Sequence, residues 1–192
     1  PVDLAVIVLP APLTPDLLKA CGERGIKAVI IISGGFREVG EAGGALEQHC
    51  LEIAQSYDMR VIGPNCVGTL DIYTGLNTTF IEGVPAKGSI GFLSQSGAVC
   101  GGVVDYIADK GIGFSHFASL GNELDVDESD MIAFFGEHPR VKVIAAYVEG
   151  IRDGSKFIQT ARQVSQRKPI VLLKAGRTGA GAKAVSSHTG SL

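Results

Sequence analysis

The sequence predicts an α/β fold built from two consecutive doubly wound parallel-sheet units, of which the first is incomplete. Two observations predict it. Short, nearly continuous apolar runs alternate with longer segments of helical periodicity, which is typical of parallel strands covered by helices on both faces. This alternation is interrupted once, between residues 63 and 88, where Gly, Asn, Thr and Pro are frequent, and then it restarts.

The first unit alternates strands with helices but lacks the glycine-rich turn that usually opens a complete doubly wound domain. Thr14 precedes a proline and is the expected N-cap of the first helix, and Gly25 is expected to end that helix. The predicted elements are strand 4–9, helix 15–24, strand 28–32, helix 41–57 and strand 60–62. Such a domain is either small or lacks its first half.

The second unit follows segment 83–88, which is interpreted as a linker or crossover between two domains, residues 1–83 and residues 84–192. Its predicted elements are strand 89–93, helix 97–110, strand 113–118, helix 127–136, strand 141–148, helix 154–167 and strand 169–174. Residues 176–192 form a tail rich in Gly, Ala and Ser. The chain opens directly into a strand, which is typical of a sequence cut from something longer.

Composition and charge exclude several classes of protein. The 192 residues are 45% hydrophobic and 19% charged, which are ordinary values for a globular protein. The net charge is −3 and the basic residues are scattered, so no surface for nucleic acid is predicted. No apolar run approaches the roughly 20 residues that a membrane helix needs. The 4 cysteines lack metal-ligand spacing and indicate reduced thiols, so a cytoplasmic protein is expected.

Small and polar residues follow nearly every predicted strand. Ligands of open parallel sheets bind at the carboxyl ends of the strands, so these loops together predict a ligand-binding rim. The best of them is the run Ser94, Gln95, Ser96 and Gly97, whose hydroxyl and backbone N–H groups at a helix N-terminus suit a phosphate. Capping of the helix by Ser94 or Ser96 explains the same residues equally well.

Two loops of the first unit are rich in small residues and permit a coenzyme or an anion to approach the backbone, although tight turns explain their glycines as well. They contain Pro10, Ala11, Pro12, Ser33, Gly34 and Gly35. A third loop, residues 63–68, contains Asn65, whose amide either bonds to a ligand or closes a structural turn. Its Cys66 has no base nearby in the sequence, which disfavours a role as nucleophile.

His188 lies among small residues in Ser-Ser-His-Thr-Gly, where a histidine has no bulky neighbours to pack on. It is therefore the residue expected to carry chemistry, with an ordinary surface histidine as the alternative. Glu149 ends an apolar strand, where a buried carboxylate needs a partner. Glu149 is therefore either a buried residue that orients an imidazole or an ordinary surface carboxylate at the end of a strand. His49, His116 and His138 are expected to be structural.

Five motifs in these loops resemble the NDP-forming acyl-CoA synthetases, a superfamily that includes succinyl-CoA synthetase and the ADP-forming acetyl-CoA synthetases. They are GPNCVG at 63–68, SQSGA at 94–98, SLGNELDVDESD at 119–130, YVEGI at 147–151 and LKAGRTGAGAKAVSSHTGSL at 173–192. The match runs through nearly the whole chain, and it is most similar to the ADP-forming acetyl-CoA synthetases. The resemblance implies Rossmann-like and flavodoxin-like units, the first being the C-terminal half of a CoA-binding domain.

The resemblance also implies a mechanism. An acyl-CoA reacts with phosphate to give CoA and an acyl phosphate, a histidine takes the phosphoryl group, and the phosphohistidine passes it to a nucleoside diphosphate. It implies that His188 is this histidine, that Glu149 orients its ring, and that residues 94–97 hold the phosphate. Asn65 is then near the acyl and phosphate groups. The loops near CoA are those that contain Pro10, Ala11, Pro12, Ser33, Gly34 and Gly35.

Partners and cofactors follow from the same resemblance. CoA is a substrate, and ADP or ATP binds with Mg²⁺ to an ATP-grasp domain or subunit outside this sequence, so the chain alone is expected to be inactive and an oligomer is expected. An alternative is the synthetase-like regulatory region of a protein acetyltransferase, which retention of both His188 and Glu149 disfavours. A plain dinucleotide-binding domain is disfavoured because no GxGxxG follows a strand.

Overall fold

The computed structural model describes residues 2–107 and 109–176. The strands are β1 (Leu4–Ile7), β2 (Ala28–Ile31), β3 (Arg60–Ile62), β4 (Thr69–Asp71), β5 (Leu76–Asn77), β6 (Ala86–Ser94), β7 (Gly113–Ser119), β8 (Val143–Val148) and β9 (Ile170–Lys174). The helices are α1 (Thr14–Glu23), α2 (Glu41–Ser56), α3 (Gly97–Ile107), α4 (Glu128–Glu137) and α5 (Gly154–Ser165), with short 3₁₀ helices at Ala11–Leu13 and Arg37–Val39. None of the helices in this described part has the length and apolar character that crossing a bilayer requires.

The first sheet contains three parallel strands in the order β1-β2-β3. Val and Ile are frequent in these strands, and β-branched side chains pack well on a pleated surface. The sheet packs with α1 and α2 through Leu18, Val29, Cys50 and Val61, none of which is more than 1% exposed. The small first unit therefore has a hydrophobic core, to which the second unit contributes Leu124.

The second sheet has six strands in the order β5-β4-β7-β6-β8-β9. The strands β7, β6, β8 and β9 run parallel, whereas β4 is antiparallel to β7 and β5 is antiparallel to β4. Its core includes Leu93, Ile132, Phe135 and Ile144, all fully buried. Together the two sheets confirm the predicted α/β fold with two consecutive parallel-sheet units.

The segment predicted as a break, residues 63–88, is partly regular structure. It contains the β4–β5 hairpin, which pairs Leu70 with Phe117 of β7. These strands have only 3 and 2 residues, too few for an apolar alternation to show in the sequence. The division into two domains near residue 83 stays a prediction, but at the level of sheets the second unit already begins at Thr69.

Two predicted helix ends have different outcomes. Gly25 follows the end of α1 with a φ of 76°, in the left-handed region that glycine adopts without strain. The prediction of Thr14 as N-cap is wrong. The 3₁₀ helix at Ala11–Leu13 runs directly into α1, so Leu13 occupies the N-cap position and makes no side-chain capping bond.

The outer edge of β3 is covered by the second unit. The N–H groups of Leu124 and Val126 donate to the carbonyl groups of Gly63 and Val61, at 2.8 and 3.1 Å. The carboxylate of Asp125 accepts from the N–H of Val61 at 2.8 Å. These bonds place the loop after β3 beside the loop after β7, so the carboxyl ends of strands from both sheets meet at one shared edge.

Candidate functional site

The side chain of Gln95 ties together the ends of three strands at this edge. Its Oε1 accepts from the backbone N–H groups of Glu149 and Gly150, at 2.5 and 2.9 Å. Its Nε2 donates to the carbonyl of Gly150 at 2.8 Å and to Oε2 of Glu123 at 2.9 Å. Both amide protons and both acceptor positions of the side chain are thus used. We call this arrangement the glutamine clamp, because it fixes the loops after β6, β7 and β8 relative to one another.

The run Ser94, Gln95, Ser96 and Gly97 leads from β6 into α3. The hydroxyl of Ser94 accepts from the N–H of Ser96 at 3.0 Å and donates to the carbonyl of Ser96 at 2.8 Å, so it braces the turn before the helix. Both serines are buried. The first N–H groups of a helix have no intrahelical acceptor, and here they belong to Gly97 and the residues after it. Together with the helix dipole, they suit an anion.

Glu149 follows β8 beside this helix start, and it is 7% exposed. Its backbone carbonyl accepts from Nζ of Lys174 at 2.6 Å. Burial, together with the carboxyl group of Glu149, raises the pKa of Tyr147. The N–H of Ala175 donates to the last carbonyl of β8 at 2.9 Å, so the chain leaves β9 alongside Glu149. His188 lies outside the described residues, and its predicted contact with Glu149 stays a prediction.

Asn65 lies where the two units meet, with a φ of 56° that asparagine tolerates better than most residues. Its Nδ2 donates to Oδ1 of Asn122 at 3.4 Å. The Nδ2 of Asn122 donates in turn to Oε2 of Glu38 at 2.6 Å and to Oε2 of Glu47 at 2.9 Å. The amide of Asn65 is therefore held by a polar network that includes α2 of the first unit.

The pKa values of the two carboxyl groups in this network are shifted in opposite directions. Burial raises the pKa of Glu47, and the hydrogen bond from Asn122 and the nearby Arg37 only partly oppose it. At Glu38 burial acts in the same direction, but hydrogen bonds from Asn122 and from backbone N–H groups outweigh it and lower the pKa. Glu38 thus supplies a carboxylate that orders the loop after β2.

Glu123 is a buried carboxyl group in the loop after β7, and it is 3% exposed. Its Oε2 accepts from Gln95, while its Oε1 is buried without a hydrogen-bond partner among the described residues. Burial, reinforced by the neighbouring carboxyl group of Glu128, raises the pKa of Glu123 well above its ordinary range. The glutamine clamp therefore rests on a carboxyl group that favours its neutral form.

The loops predicted to lie near CoA meet after β1 and β2. The hydroxyl of Ser33 donates to a carbonyl of the loop after β1 at 2.6 Å. Gly35 has a φ of 105°, and a Cβ there would lie 3.1 Å from the Cβ of Ala11, in the loop 10–12. A Cβ on Gly34 would lie 3.2 Å from the amide oxygen of the asparagine after β3. Glycine therefore suits the close approach of these loops, and at Gly35 the positive φ favours it as well.

A cleft of about 590 Å³, which we call the strand-edge cleft, lies between the two units. Its walls include Asn65 after β3, Gln95 and Gly97 at the start of α3, and Asn122 after β7. The remaining lining residues are Ile32, Cys66, Val67, Phe80, Ile81, Glu82, Ala98, Gly101, Asp105 and Gly121. The geometry thus brings Asn65 together with the 94–97 run. A cleft of this size and mixed lining is typical of a small-molecule site.

Cys66 lines the cleft as an inert thiol. Its Sγ donates to the carbonyl of Ile31 at 3.3 Å, and burial raises its pKa to about 12. Such a thiol stays protonated at neutral pH and is a poor nucleophile. The described residues also contain no group of three or more His, Cys, Asp or Glu side chains that could hold a metal ion.

Three polar residues of the site, Glu38, Glu47 and Glu123, are absent from the candidates predicted from the sequence, whereas Asn122 belongs to loop 119–122 of the predicted rim. A signal for Glu123 was available, because it directly follows this loop at the end of a buried strand, where polar side chains need partners. Glu38 and Glu47 gave no signal, since their common partner, Asn122, is 84 and 75 residues away in the chain.

Comparisons with known proteins agree with this geometry. Residues 87–192 match the succinyl-CoA ligase-like flavodoxin domain, and residues 1–71 match a CoA-binding domain. The alpha subunit of the ADP-forming acetate–CoA ligase II of Pyrococcus furiosus is 47% identical over 191 residues, a match that covers 100% of this chain and 42% of that protein. The ADP-forming 4-hydroxybutyrate–CoA ligase of Nitrosopumilus maritimus is 43% identical over 195 residues, covering 100% of this chain and 28% of that protein.

A solved structure has the same fold. The dinucleotide-forming acetyl-coenzyme A synthetase 1 of Ca. Korarchaeum cryptofilum, in complex with phosphate and ADP, superimposes with a TM-score of 0.94 at 42% identity, covering 100% of this chain and 41% of that chain. The chain thus spans less than half the length of these three relatives. These matches confirm the resemblance to the NDP-forming acyl-CoA synthetases. Because the flavodoxin-domain match extends over more than half of the residues of this chain, the chain belongs to the succinyl-CoA ligase-like flavodoxin family, here preceded by a CoA-binding domain.

Proposed function

We propose that the chain is part of an ADP-forming acyl-CoA synthetase, which converts acyl-CoA, ADP and phosphate into a free acid, CoA and ATP. The observation that carries this proposal is the glutamine clamp, because it holds a helix N-terminus suited to phosphate beside the buried Glu149 at the edge of the strand-edge cleft. The relatives described above are named as ligases, which favours an enzyme over a regulatory region of an acetyltransferase.

The start of α3 is the proposed seat of the phosphate. A phosphate oxygen attacks the thioester carbonyl there, the C–S bond breaks, and CoA leaves with the electron pair on sulfur while the acyl phosphate remains. The free N–H groups at Gly97 and the helix dipole stabilise the phosphate charge throughout. The amide of Asn65 lines the same cleft and is in position to bind the acyl or phosphate oxygens.

His188 is the proposed phosphoryl carrier. A neutral imidazole nitrogen attacks the phosphorus of the acyl phosphate, the bond to the acyl oxygen breaks, and the carboxylate leaves. Glu149 accepts a hydrogen bond from the other ring nitrogen, which fixes the tautomer and stabilises the cationic phosphoimidazole. His188 is twelve positions after Gly176 in the sequence, and a fully extended chain of twelve residues reaches up to roughly 40 Å, which would permit the histidine to serve two sites.

The remaining substrates and partners follow the same proposal. CoA lies against the loops 10–12 and 33–35, whose small residues permit close approach. ADP binds with Mg²⁺ to an ATP-grasp domain or subunit, and the assembled enzyme is an oligomer. We expect it in the cytoplasm, and the free cysteines of the described chain suit a reducing compartment.

Labelling of the full-length protein, joined with its ATP-grasp partner, tests this function. Incubation with radiolabelled ATP and Mg²⁺ is expected to give an acid-labile phosphohistidine. We expect His188→Ala to abolish this labelling and Glu149→Gln to slow it. The matched control is His49→Ala, because His49 is half-exposed on α2 and pairs only weakly with Glu52 at 4.0 Å. Undiminished labelling of the His188→Ala protein would contradict the proposal.

A further inference from the structure

The side chain of Asn122 lies between two glutamates of the first unit. It is fully buried, and its Nδ2 donates to Oε2 of Glu38 at 2.6 Å and to Oε2 of Glu47 at 2.9 Å. Both protons of the amide group are used in this way. Glu38 has a lowered pKa and is therefore ionised, so it can only accept hydrogen bonds. The orientation of the Asn122 amide is thus fixed, with its nitrogen toward the glutamates and its oxygen turned away from them.

The amide of Asn122 sets the amide of Asn65 in turn. Its Oδ1 accepts from Nδ2 of Asn65 at 3.4 Å, and an oxygen in that position requires Asn65 to face it with nitrogen. In the part of the chain that the structure describes, the Asn65 side chain makes no other hydrogen bond. Since Asn65 lines the strand-edge cleft, the network leaves it a second N–H group for a ligand.

The carboxylate of Glu38 also holds the loop after β2. Its Oε1 accepts from the backbone N–H groups of Gly35 and Phe36, at 2.5 and 3.1 Å. The two oxygens are thus divided, because Oε1 bonds within this loop and Oε2 bonds to Asn122. A substitution that changes only the atom at Oε2 separates the two contacts.

Glu47 anchors the same network from α2. It is 6% exposed, and its Oε1 lies 3.6 Å from Nη1 of Arg37 and 3.7 Å from Nη2 of Arg152. Arg37 also donates to the backbone carbonyl of Asn122, and Arg152 donates to that of Glu123 at 2.8 Å. The backbone that carries the Asn122 amide is therefore held as well, which leaves the amide little freedom to turn.

We infer that Asn122 and Glu38 are positioning residues, which act through Asn65 and keep one of its N–H groups available to an oxygen of the phosphate or acyl phosphate. This inference rests on the proposed ligase function, which seats the phosphate at the start of α3 in the same cleft. Without the network the Asn65 amide is free to turn and to present its oxygen, which repels an anion. An N–H group oriented in advance binds the anion without that loss.

Steady-state kinetics of the full-length enzyme with its ATP-grasp partner test the inference. The release of CoA is measured with ADP, Mg²⁺ and varied phosphate, from acetyl-CoA and 4-hydroxybutyryl-CoA, the thioesters of the acids for which two relatives are named. Glu38→Gln keeps an oxygen for the loop after β2 but turns an NH₂ group toward Asn122, so two donors face each other. We expect KM for phosphate to rise at least about tenfold, the effect of losing a hydrogen bond to a charged group. KM for ADP is expected to stay within about twofold, because ADP is proposed to bind on another domain.

A second substitution restores the hydrogen bond in the opposite sense. In Glu38→Gln/Asn122→Asp the new amide at position 38 donates to the new carboxylate at position 122, which still accepts from Asn65. Burial raises the pKa of Glu47, so this neighbour can be protonated and donate to the new carboxylate. KM for phosphate is expected to return to within about threefold of the parent. Asn122→Asp alone places a carboxylate against Glu38 and is expected to raise KM for phosphate as Glu38→Gln does.

Asn65→Gly connects the network with the residue through which it acts. Glycine adopts the φ of 56° at this position without strain and lacks the amide, so it is expected to raise KM for phosphate in the parent. In the Glu38→Gln protein, whose Asn65 amide is already misoriented, it is expected to add less than about threefold. The matched control is Glu52→Gln, which removes one negative charge at an exposed position of α2 and is expected to leave KM for phosphate unchanged.

The outcomes separate the two levels of the proposal. Absence of phosphate-dependent CoA release from both thioesters in the parent would overturn the ligase function itself. An unchanged KM for phosphate in Glu38→Gln, no recovery in the double variant, or additive effects with Asn65→Gly would overturn the positioning role and leave the ligase function standing. If a single variant does not fold, a folded double variant with the KM of the parent supports the role, and an unfolded double variant contradicts it.

Discussion

Replacing Gln95 by alanine removes the glutamine clamp and is expected to destabilise the chain by about 2–4 kcal/mol. The side chain makes four hydrogen bonds of 2.5 to 2.9 Å to backbone and side-chain groups. Each neutral hydrogen bond contributes about 1 kcal/mol net, and a buried partner left alone adds its own desolvation cost. Water from the strand-edge cleft can replace part of these bonds, which keeps the loss below the sum of four full penalties.

Urea unfolding followed by far-UV circular dichroism measures this loss. The midpoint is expected to fall for Gln95→Ala at an unchanged slope, because the surface exposed on unfolding stays the same. The matched control is Gln163→Ala, an exposed glutamine on α5, which is expected to stay within about 0.5 kcal/mol of the parent. A Gln95→Ala protein as stable as this control would refute the idea that the amide holds the three loops together.

Two further substitutions probe the same edge of the molecule. As the pH rises above the ordinary glutamate range, the unfolded chain releases the Glu123 proton, whereas the native chain, in which the pKa of Glu123 is raised, retains it. The stability of the parent therefore declines with rising pH up to that raised pKa. Glu123→Gln lacks this decline, and its stability relative to the parent is expected to increase with pH in urea titrations. A difference that stays constant with pH would contradict the neutral carboxyl group. Gly121 has a φ of 58°, and Gly121→Ala would place a Cβ 2.2 Å from a backbone carbonyl oxygen of the loop 63–68. We expect the free energy of unfolding, measured by thermal melts, to fall by about 3 kcal/mol or more. Gly111→Ala, with a φ of 66° but open space, is expected to cost only about 1 kcal/mol, and equal losses would contradict the close approach.

Local pattern was sufficient to predict most of the fold. The bounds of β3 at Arg60–Ile62 agree with the prediction, and α3 and α5 begin at the predicted glycines. These elements follow from apolar runs and helix punctuation, which are properties of neighbouring residues. The β4–β5 hairpin was missed because its 3 and 2 residues are held by pairing with β7, a partner far along the chain. Thr14 was assigned the wrong role because a 3₁₀ helix precedes α1 and leaves no free end to cap.

The candidate site was predictable in its position but not in its contacts. Topology alone places the loops after parallel strands at one edge, so the 94–97 run and Asn65 could be named in advance. The bonds of Gln95 to Glu149 and to Glu123 span 54 and 28 residues, and only the folded arrangement of β6, β7 and β8 brings them together. Ser94 illustrates the same limit, because the sequence leaves a phosphate contact and a helix cap open as alternatives. In the structure its hydroxyl braces the turn before the helix, and the phosphate contact stays a prediction.

The second unit covers β3 and incorporates the β4–β5 hairpin, so the two units are difficult to express as separate proteins. A protein beginning at residue 84 would lose two strands from its sheet and leave β7 as an open edge, ready to pair with other chains. A protein ending there would carry β3 without the backbone groups of Leu124 and Val126 that bond to it. Chimeras between relatives are therefore expected to stay free of aggregation when both units are exchanged together.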